Sequence, residues 1–442
     1  MSQADHPANP MSWSEWIKER DHPRDAAGKP EALDDLVVLD LSVANMAGLV
    51  CSSFLSEFGA EVIRVEPPGG DPARGFAPFG LTHNGTGLGY LNEGRNKRHI
   101  TLNLEVGEGR EVFRGLAAHA DVIIESFPPG AMDAWEIGYR QLGAAHPGLI
   151  YCGIATYGQF GPRAAHHIPD SDVVAQALSG ITYVTGLTDE GRGDPAAVPT
   201  KQGNWHGWFV GGIWAAVGVL VALHHRMATG QGQFVDLSPA EALMRSADYS
   251  IGLLKLTGRV RERMGNLDAG AFPYTYVRCK DGYCFLSGFV DINWQALCAI
   301  MERPDLRDKY PNVLERSRPD NQKTIHAELE AWATQYTYEE ILHKIQVYDR
   351  TVGKGAVATG RITEPHEVVQ VENWWERDAL RIVEDPHYGE LLVSPPAPKM
   401  TRTPPRLKWV CRPVGADNSA VYARFLGYGR DRLADLASRR VI

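Results

Sequence analysis

Of the residues in this 442-residue chain that bear on chemistry, the most concentrated set is His166, His167, Asp170 and Asp172. Two imidazoles and two carboxylates within seven residues have metal-ligand chemistry, but His and Asp are equally ordinary ahead of a helix, where Ser171 or Asp172 would serve as the N-cap. The capping reading is preferred, and no metal site is expected. Asp189, in Thr185-Gly-Leu-Thr-Asp-Glu-Gly-Arg192, has on local chemistry alone the character of a solvated turn carboxylate. His83-Asn-Gly-Thr-Gly-Leu-Gly89 has closely spaced glycines but no strand running into them, so it reads as a mobile loop and not as a dinucleotide turn. No Gly-x-Ser-x-Gly elbow is found. The six cysteines, at 51, 152, 279, 284, 298 and 411, form no CxxC pair, which argues against structural zinc or a disulfide framework. Cys279 and Cys284 flank an Asp-Gly turn signal and read as neighbours on two strands.

The elements that must position such residues alternate. Leu36-Val-Val-Leu-Asp-Leu41 is a continuous apolar strand of the kind buried in a parallel sheet. A helix with Leu49, Val50, Phe54, Leu55 and Phe58 at helical spacing follows, ending at Gly59, and Glu61-Val-Ile-Arg-Val65 closes a β-α-β unit. Further helices are expected around 106–119 and 131–142, with strands at 121–125 and 149–154. The fold class is therefore α/β, a Rossmann-like large domain accompanied by a smaller α+β domain. The expected boundaries are 1–33 for an N-terminal extension, 34–205 for the first part of the large domain and 206–228 for a linker helix. They continue with 229–360 for the small domain and 361–442 for a return segment that completes the large one. Helices near 239–257, 292–303 and 321–346 and a hairpin near 273–288 belong to the second half.

Forty-five Lys and Arg against 54 Asp and Glu give a net charge of -9, which argues against a general nucleic-acid or anionic-membrane binder. A polyanionic ligand would need a local basic pocket. The apolar run Trp208–Leu223 is sixteen residues, shorter than a membrane span, and suits a buried helix. The first twenty residues lack the pattern of a secretory signal, so a cytoplasmic protein is expected.

Several segments, taken in order, resemble the class III CoA-transferase family, which includes formyl-CoA transferase and carnitine CoA-transferase. They are Phe58-Gly-Ala-Glu-Val-Ile-Arg-Val-Glu-Pro-Pro-Gly-Gly-Asp71, Arg95-Asn-Lys-Arg98, Val122-Ile-Ile-Glu-Ser-Phe-Pro-Pro-Gly130, Tyr157-Gly-Gln-Phe-Gly-Pro162, Gln176-Ala-Leu-Ser-Gly180, Thr229-Gly-Gln-Gly-Gln233 and Pro413-Val-Gly-Ala-Asp-Asn418. Each is weak alone, and the ordered set carries the specificity.

The resemblance implies that Asp189, thirteen residues beyond Gln176, is the nucleophile of a CoA transfer. It would act through aspartyl anhydride and aspartyl-CoA thioester intermediates, with backbone N–H groups near Gly265-Asn266 and Ala269-Gly270 for the oxyanions. The CoA thioester is substrate, with succinyl-CoA the expected donor and a dicarboxylic or aromatic acid the acceptor; no permanent cofactor is implied. CoA contacts are implied at Asn45, Met46, Leu102, Asn103, Ser126, Phe127, Pro128, Thr156 and Tyr157. Several positively charged or amide positions of relatives are not matched, since Pro67 and Ser126 stand where Arg and Asn are expected. The phosphates are therefore assigned to Arg74, Arg95, Lys97 and Arg98, with Arg64 a further candidate. An interlocked homodimer is expected, with a hetero-oligomer as the alternative. Two rival functions are an α-methylacyl-CoA racemase and a non-catalytic CoA-binding subunit. The racemase lacks its acid/base pair here, because Ser171-Asp172 and Gly203-Asn-Trp-His206 stand where its groups would be.

Overall fold

The computed structural model describes residues 11–164, 171–188, 197–247, 249–268 and 270–442. They form two units. The first comprises residues up to 181, 201–251 and 371–442, and the second 182–200 and 252–370.

The first unit is built on six parallel strands: β1 (Val37–Asp40), β2 (Glu61–Glu66), β3 (Lys97–Thr101), β4 (Val122–Glu125), β5 (Ile150–Ile154) and β6 (Phe234–Leu237), in the order β3-β2-β1-β4-β5-β6. Val38 lies opposite Val62 and Val122, and Leu39 opposite Ile63 and Ile123. Both faces are covered, which is why these strands read as unbroken apolar runs. Val38, Val62, Ile124 and Ile150 pack with helices α1 (Met46–Glu57) and α4 (His206–Thr229). Leu39, Ile63, Ile123 and Tyr151 pack on the other face with α2 (Gly107–Ala117) and the C-terminal helices α5 (Asn418–Leu426) and α6 (Arg430–Ser438). This is the doubly wound arrangement, and the order reverses between β1 and β4, where such sheets open a crevice beyond their carboxyl ends.

The structure departs from the sequence expectations at definite places. The segment at 229–251, expected in the small domain, lies with the first unit, because Tyr151 to Ile154 pair with Phe234 to Leu237 at the sheet edge. The helix at 206–228 is part of the core and not a linker: it runs 24 residues, long and apolar enough to cross a membrane by length and composition, and half of its most apolar stretch is buried. Gly212 permits that packing, since a Cβ there would sit 2.6 Å from the Ala47 carbonyl oxygen of α1. The loop at 83–89 is a tight hairpin, Thr82–His83 with Thr86–Gly87, whose turn residues Asn84 and Gly85 take φ of 46° and 74°. This pair of positive values is the geometry that favours Asn-Gly. The Pro-bearing tail holds an unforeseen hairpin, β10 (Arg381–Asp385) with β11 (Gly389–Val393). The N-terminal extension forms a helix, Trp13–Asp21, and ties to that return segment through Lys18–Glu376 (2.6 Å) and Arg24–Asp378 (3.0 Å).

The second unit has a three-stranded antiparallel sheet, β7 (Tyr274–Cys279), β8 (Gly282–Ser287) and β9 (Thr359–Arg361), with β8 central. Cys279 and Cys284 lie on paired strands. Trp294, Leu297, Ile325, Leu329 and Ile341 fill its core. The single helix expected over 321–346 is two, Pro319–Ala333 and Tyr338–Thr351. Thr337 and Glu340 form a reciprocal capping box that starts the second, a signal masked in the sequence by continuous helical periodicity.

Candidate active site

Two adjoining pockets occupy the crevice at the carboxyl ends of the strands. The first, about 300 Å³, is lined by Val43–Asn45 after β1, Ser126–Pro129 after β4, Ala155–Gly158 after β5, and Arg163 and Ala164. The second, about 430 Å³, is lined by Pro67, Pro68 and Pro72 after β2, Leu102–Glu105 after β3, Trp135 and Arg440. Val43 and Phe127 line both.

Local chemistry fixes these walls. The Asn45 side-chain oxygen accepts the N–H groups of Ala47 (2.8 Å) and Gly48 (3.1 Å), capping α1. Ser126 Oγ accepts the Val43 N–H at 3.1 Å and so laces the β4 loop to the β1 loop at the point of reversal. Phe127 meets Trp135 edge to face, with centroids 5.3 Å apart, and the Arg163 guanidinium lies over the Tyr157 ring at 5.5 Å. Glu125, buried at the end of β4, is pushed up to about 8 by that burial, and its Oε2 accepts the Phe127 N–H at 2.6 Å. At neutral pH it is a protonated prop for the shared wall.

Eight of the contacts expected from sequence therefore come together: Asn45, Ser126, Phe127, Pro128, Thr156 and Tyr157 in the first pocket, Leu102 and Asn103 in the second. Met46 does not line either pocket; it is fully buried in the core as the first residue of α1.

The cations expected for phosphates stand elsewhere. Arg64 donates to Asp40 (2.6 Å) and pairs with Asp71, all three buried. Arg74 is held by Glu66 (2.7 Å) and the Arg412 carbonyl (2.9 Å). Burial opposes the ionised form of Glu66, but hydrogen bonds from Arg74 and His99 outweigh it and hold the carboxyl well below its ordinary range. Burial likewise opposes the His99 cation, and the neighbouring Cys411 and Glu66 overcome it, raising His99 to about 9. Arg95 donates to Glu57 (3.2 Å) and the Ser394 carbonyl (2.6 Å). Lys97 is fully buried, donates to the Leu49 carbonyl at 2.8 Å, and is lowered to about 8 by that burial. Arg98 reaches Glu61 (3.0 Å) and Asp417 (3.7 Å). Arg64, Arg74, Arg95 and Lys97 stand beside buried carboxylates and Arg98 pairs on the sheet's edge strand, long-range pairings that no local sequence feature discloses. Arg163 and Arg440, which do line the pockets, were not picked out by sequence.

Asp172 is committed to structure: its carboxylate accepts the Trp208 N–H (3.0 Å) at the start of α4 and a Gln176 amide N–H (2.8 Å) from within its own helix, α3 (Asp172–Leu178). Trp205 packs against Gly89, and Trp208 is buried and stacks on Phe76 at 5.9 Å; both belong to the core, whereas Trp214 is exposed. Asp189 lies outside the described residues, as do His166, His167, Asp170 and Ala269. In the second unit, Thr188 donates through its hydroxyl to the Arg263 carbonyl (2.9 Å), and the Gly265 N–H is taken by the Gly186 carbonyl (3.0 Å). The Gly270 N–H is taken by Asp268 (2.7 Å).

Residues 33–418 match the family model described as CoA-transferase family III. The chain is 32% identical over 415 residues to the succinyl-CoA--D-citramalate CoA-transferase of Chloroflexus aurantiacus, covering 93% of this chain and 98% of that one. It is 34% identical over 379 residues to the succinyl-CoA:mesaconate CoA-transferase of Haloarcula marismortui, covering 85% and 91%. Among solved structures it resembles a CAIB/BAIF family protein from Brucella suis, with a TM-score of 0.74 and 25% identity over 90% of this chain and all of that one. Parallel sheet, crevice and sequence agree, and the chain belongs to CoA-transferase family III and is a CoA-transferase.

Proposed function

We propose that the enzyme transfers CoA from succinyl-CoA to a small dicarboxylic acid, with Asp189 as nucleophile and the paired crevice pockets holding CoA. The observation that carries the reading is that the two pockets stand side by side at the carboxyl ends of the strands with Val43 and Phe127 as their common wall. Phe127 and Trp135, edge to face on the second pocket, suit stacking with the base, and the first pocket is assigned to pantetheine. Relatives named for succinyl-CoA with citramalate or mesaconate support the donor and the acceptor class.

The Asp189 carboxylate attacks the thioester carbonyl and expels CoA thiolate, leaving an aspartyl-succinyl anhydride. The thiolate then attacks the aspartyl carbonyl and releases succinate, leaving an aspartyl-CoA thioester. The acceptor carboxylate displaces the thiolate to form a second anhydride, and the thiolate attacks the acceptor's acyl carbon to give the new CoA ester and free Asp189. Each step exchanges one acyl bond for another, so proximity and removal of carboxylate hydration supply the acceleration. Incubation with succinyl-CoA and a panel of dicarboxylates, read by chromatography of CoA esters, tests the assignment. Formation of a new CoA ester together with equimolar succinate supports it, and turnover only with a different donor refutes the succinyl assignment.

The same reading includes an interlocked homodimer. Its support is the outward face of α4, where Ile213, Trp214, Val217, Leu220 and Val221 are all more than 40% exposed. An apolar stripe of this kind is costly in water and suits a subunit interface. Light scattering at the mass of two chains, lost in Val217→Glu/Val221→Glu, is the expected outcome.

A further inference from the structure

Arg440 stands at an unusual place for a ligand-binding residue, two positions from the last residue and beyond the 33–418 span that matches the family model. The end of the chain is nevertheless firmly held. The Asn103 N–H donates to the Val441 carbonyl at 2.8 Å, the Asn103 side-chain amide reaches the Arg440 carbonyl at 3.4 Å, and Val441 is buried in the core. Arg440 takes a φ of 55°, a conformation costly for a side-chain-bearing residue. Its guanidinium has no ion-pair or hydrogen-bond partner among the described residues, unlike the adjacent Arg439, which binds Glu108 and Asp435. It is the only cation among the described residues lining the second pocket, whose lining also includes the acidic Glu105.

We infer that Arg440 is the cation that receives a phosphate of CoA, and that the chain's final turn, held by backbone bonds to the β3 loop, completes the nucleotide end of the site. The inference rests on the crevice being the CoA site. Its physical basis is that a protein of net charge -9 needs a positive group at a polyanion's seat, and that three of the arginines expected for the phosphates, Arg64, Arg74 and Arg95, are already paired inside the fold. A guanidinium presents a planar fork matched to phosphate oxygens. The bonds that hold the segment use the Asn103 side chain and backbone groups, so Arg440→Gln leaves the anchoring intact.

Calorimetric titration of the full-length protein with CoA, dephospho-CoA and pantetheine tests it. For the parent protein, CoA binds more tightly than pantetheine; equal affinity for the two overturns the crevice reading and this inference with it. Arg440→Gln weakens CoA by about tenfold, Arg440→Lys by less, and pantetheine by neither. If Arg440→Gln leaves dephospho-CoA binding as unchanged as pantetheine binding, the contact is with the 3′-phosphate; if dephospho-CoA binding falls as CoA binding does, the contact is with the pyrophosphate. Unchanged CoA affinity in a folded Arg440→Gln protein, with the parent still preferring CoA to pantetheine, overturns the inference while leaving the crevice reading in place.

Discussion

Replacing Arg64 by Met separates the two roles an arginine within β2 could have. In the structure its NH1 donates to Asp40 at 2.6 Å and to Ser42 Oγ at 2.7 Å, and its NH2 pairs with Asp71. Asp40 and Asp71 are 0% and 3% exposed, so the substitution leaves two carboxylates in the interior without their principal counter-charge. Removing one partner of a buried pair costs about 3–5 kcal/mol. Some compensation remains: Asp40 keeps the hydroxyls of Ser42 and Ser52 at 2.5 Å and Lys97 at 3.9 Å, and Asp71 keeps the N–H groups of Ala44 (2.9 Å) and Ala73 (2.7 Å). The expected loss is therefore near the lower end, about 3 kcal/mol, roughly two orders of magnitude in the folding equilibrium of the first unit. Urea unfolding followed by tryptophan fluorescence and by hydrogen exchange of β1 and β2 measures it, with CoA titration of the folded variant alongside. The expected result is a large fall in the midpoint with CoA affinity within twofold. An unchanged midpoint together with strongly weakened CoA binding would refute the structural role and return Arg64 to the phosphates.

Three further outcomes are expected. Glu125 has a folded pKa raised to about 8 by burial, against an ordinary value near 4.5, so it contributes stability that is complete below about pH 4.5 and is lost as pH rises through 8. Glu125→Gln should flatten the part of the stability profile between about pH 5 and 8, and a parallel decline in both proteins would contradict the assignment. Gly212→Leu forces a side chain against the Ala47 carbonyl and Val50, and should destabilise the first unit by about 1–3 kcal/mol in chemical denaturation. Arg163→Gln removes the cation over Tyr157 in the first pocket and should weaken CoA binding several-fold, with the loss diminishing at high salt as expected of an exposed charge.

The parallel sheet was readable because strands buried on both faces write themselves as apolar runs, as at 36–41 and 121–125. The sixth strand was not assigned to it: Phe234-Val-Asp-Leu237 alternates like a half-exposed strand and finds its partner some eighty residues upstream. The break at Thr337 was hidden by helical periodicity on both sides, and the hairpin at 381–393 by the prolines around it. The apolar and small polar residues of the crevice were legible because the family resemblance carries them at fixed places in the loops. The cations were not, since charge type says nothing of burial. Glu66 lies eight residues from Arg74, but it is the fold that turns both inward, and Lys97 meets Leu49 and Asp40 only across the sheet. Arg440 becomes visible only once the chain's end is seen to return to the β3 loop.

Intact-protein mass spectrometry of the full chain incubated with succinyl-CoA and no acceptor addresses the covalent route through Asp189 most directly. The expected spectrum shows a species heavier by CoA less water, removed by hydroxylamine and by acceptor acid, and absent from Asp189→Ala, which also loses transfer. Full transfer by Asp189→Ala, or the same adduct on that variant, would contradict it.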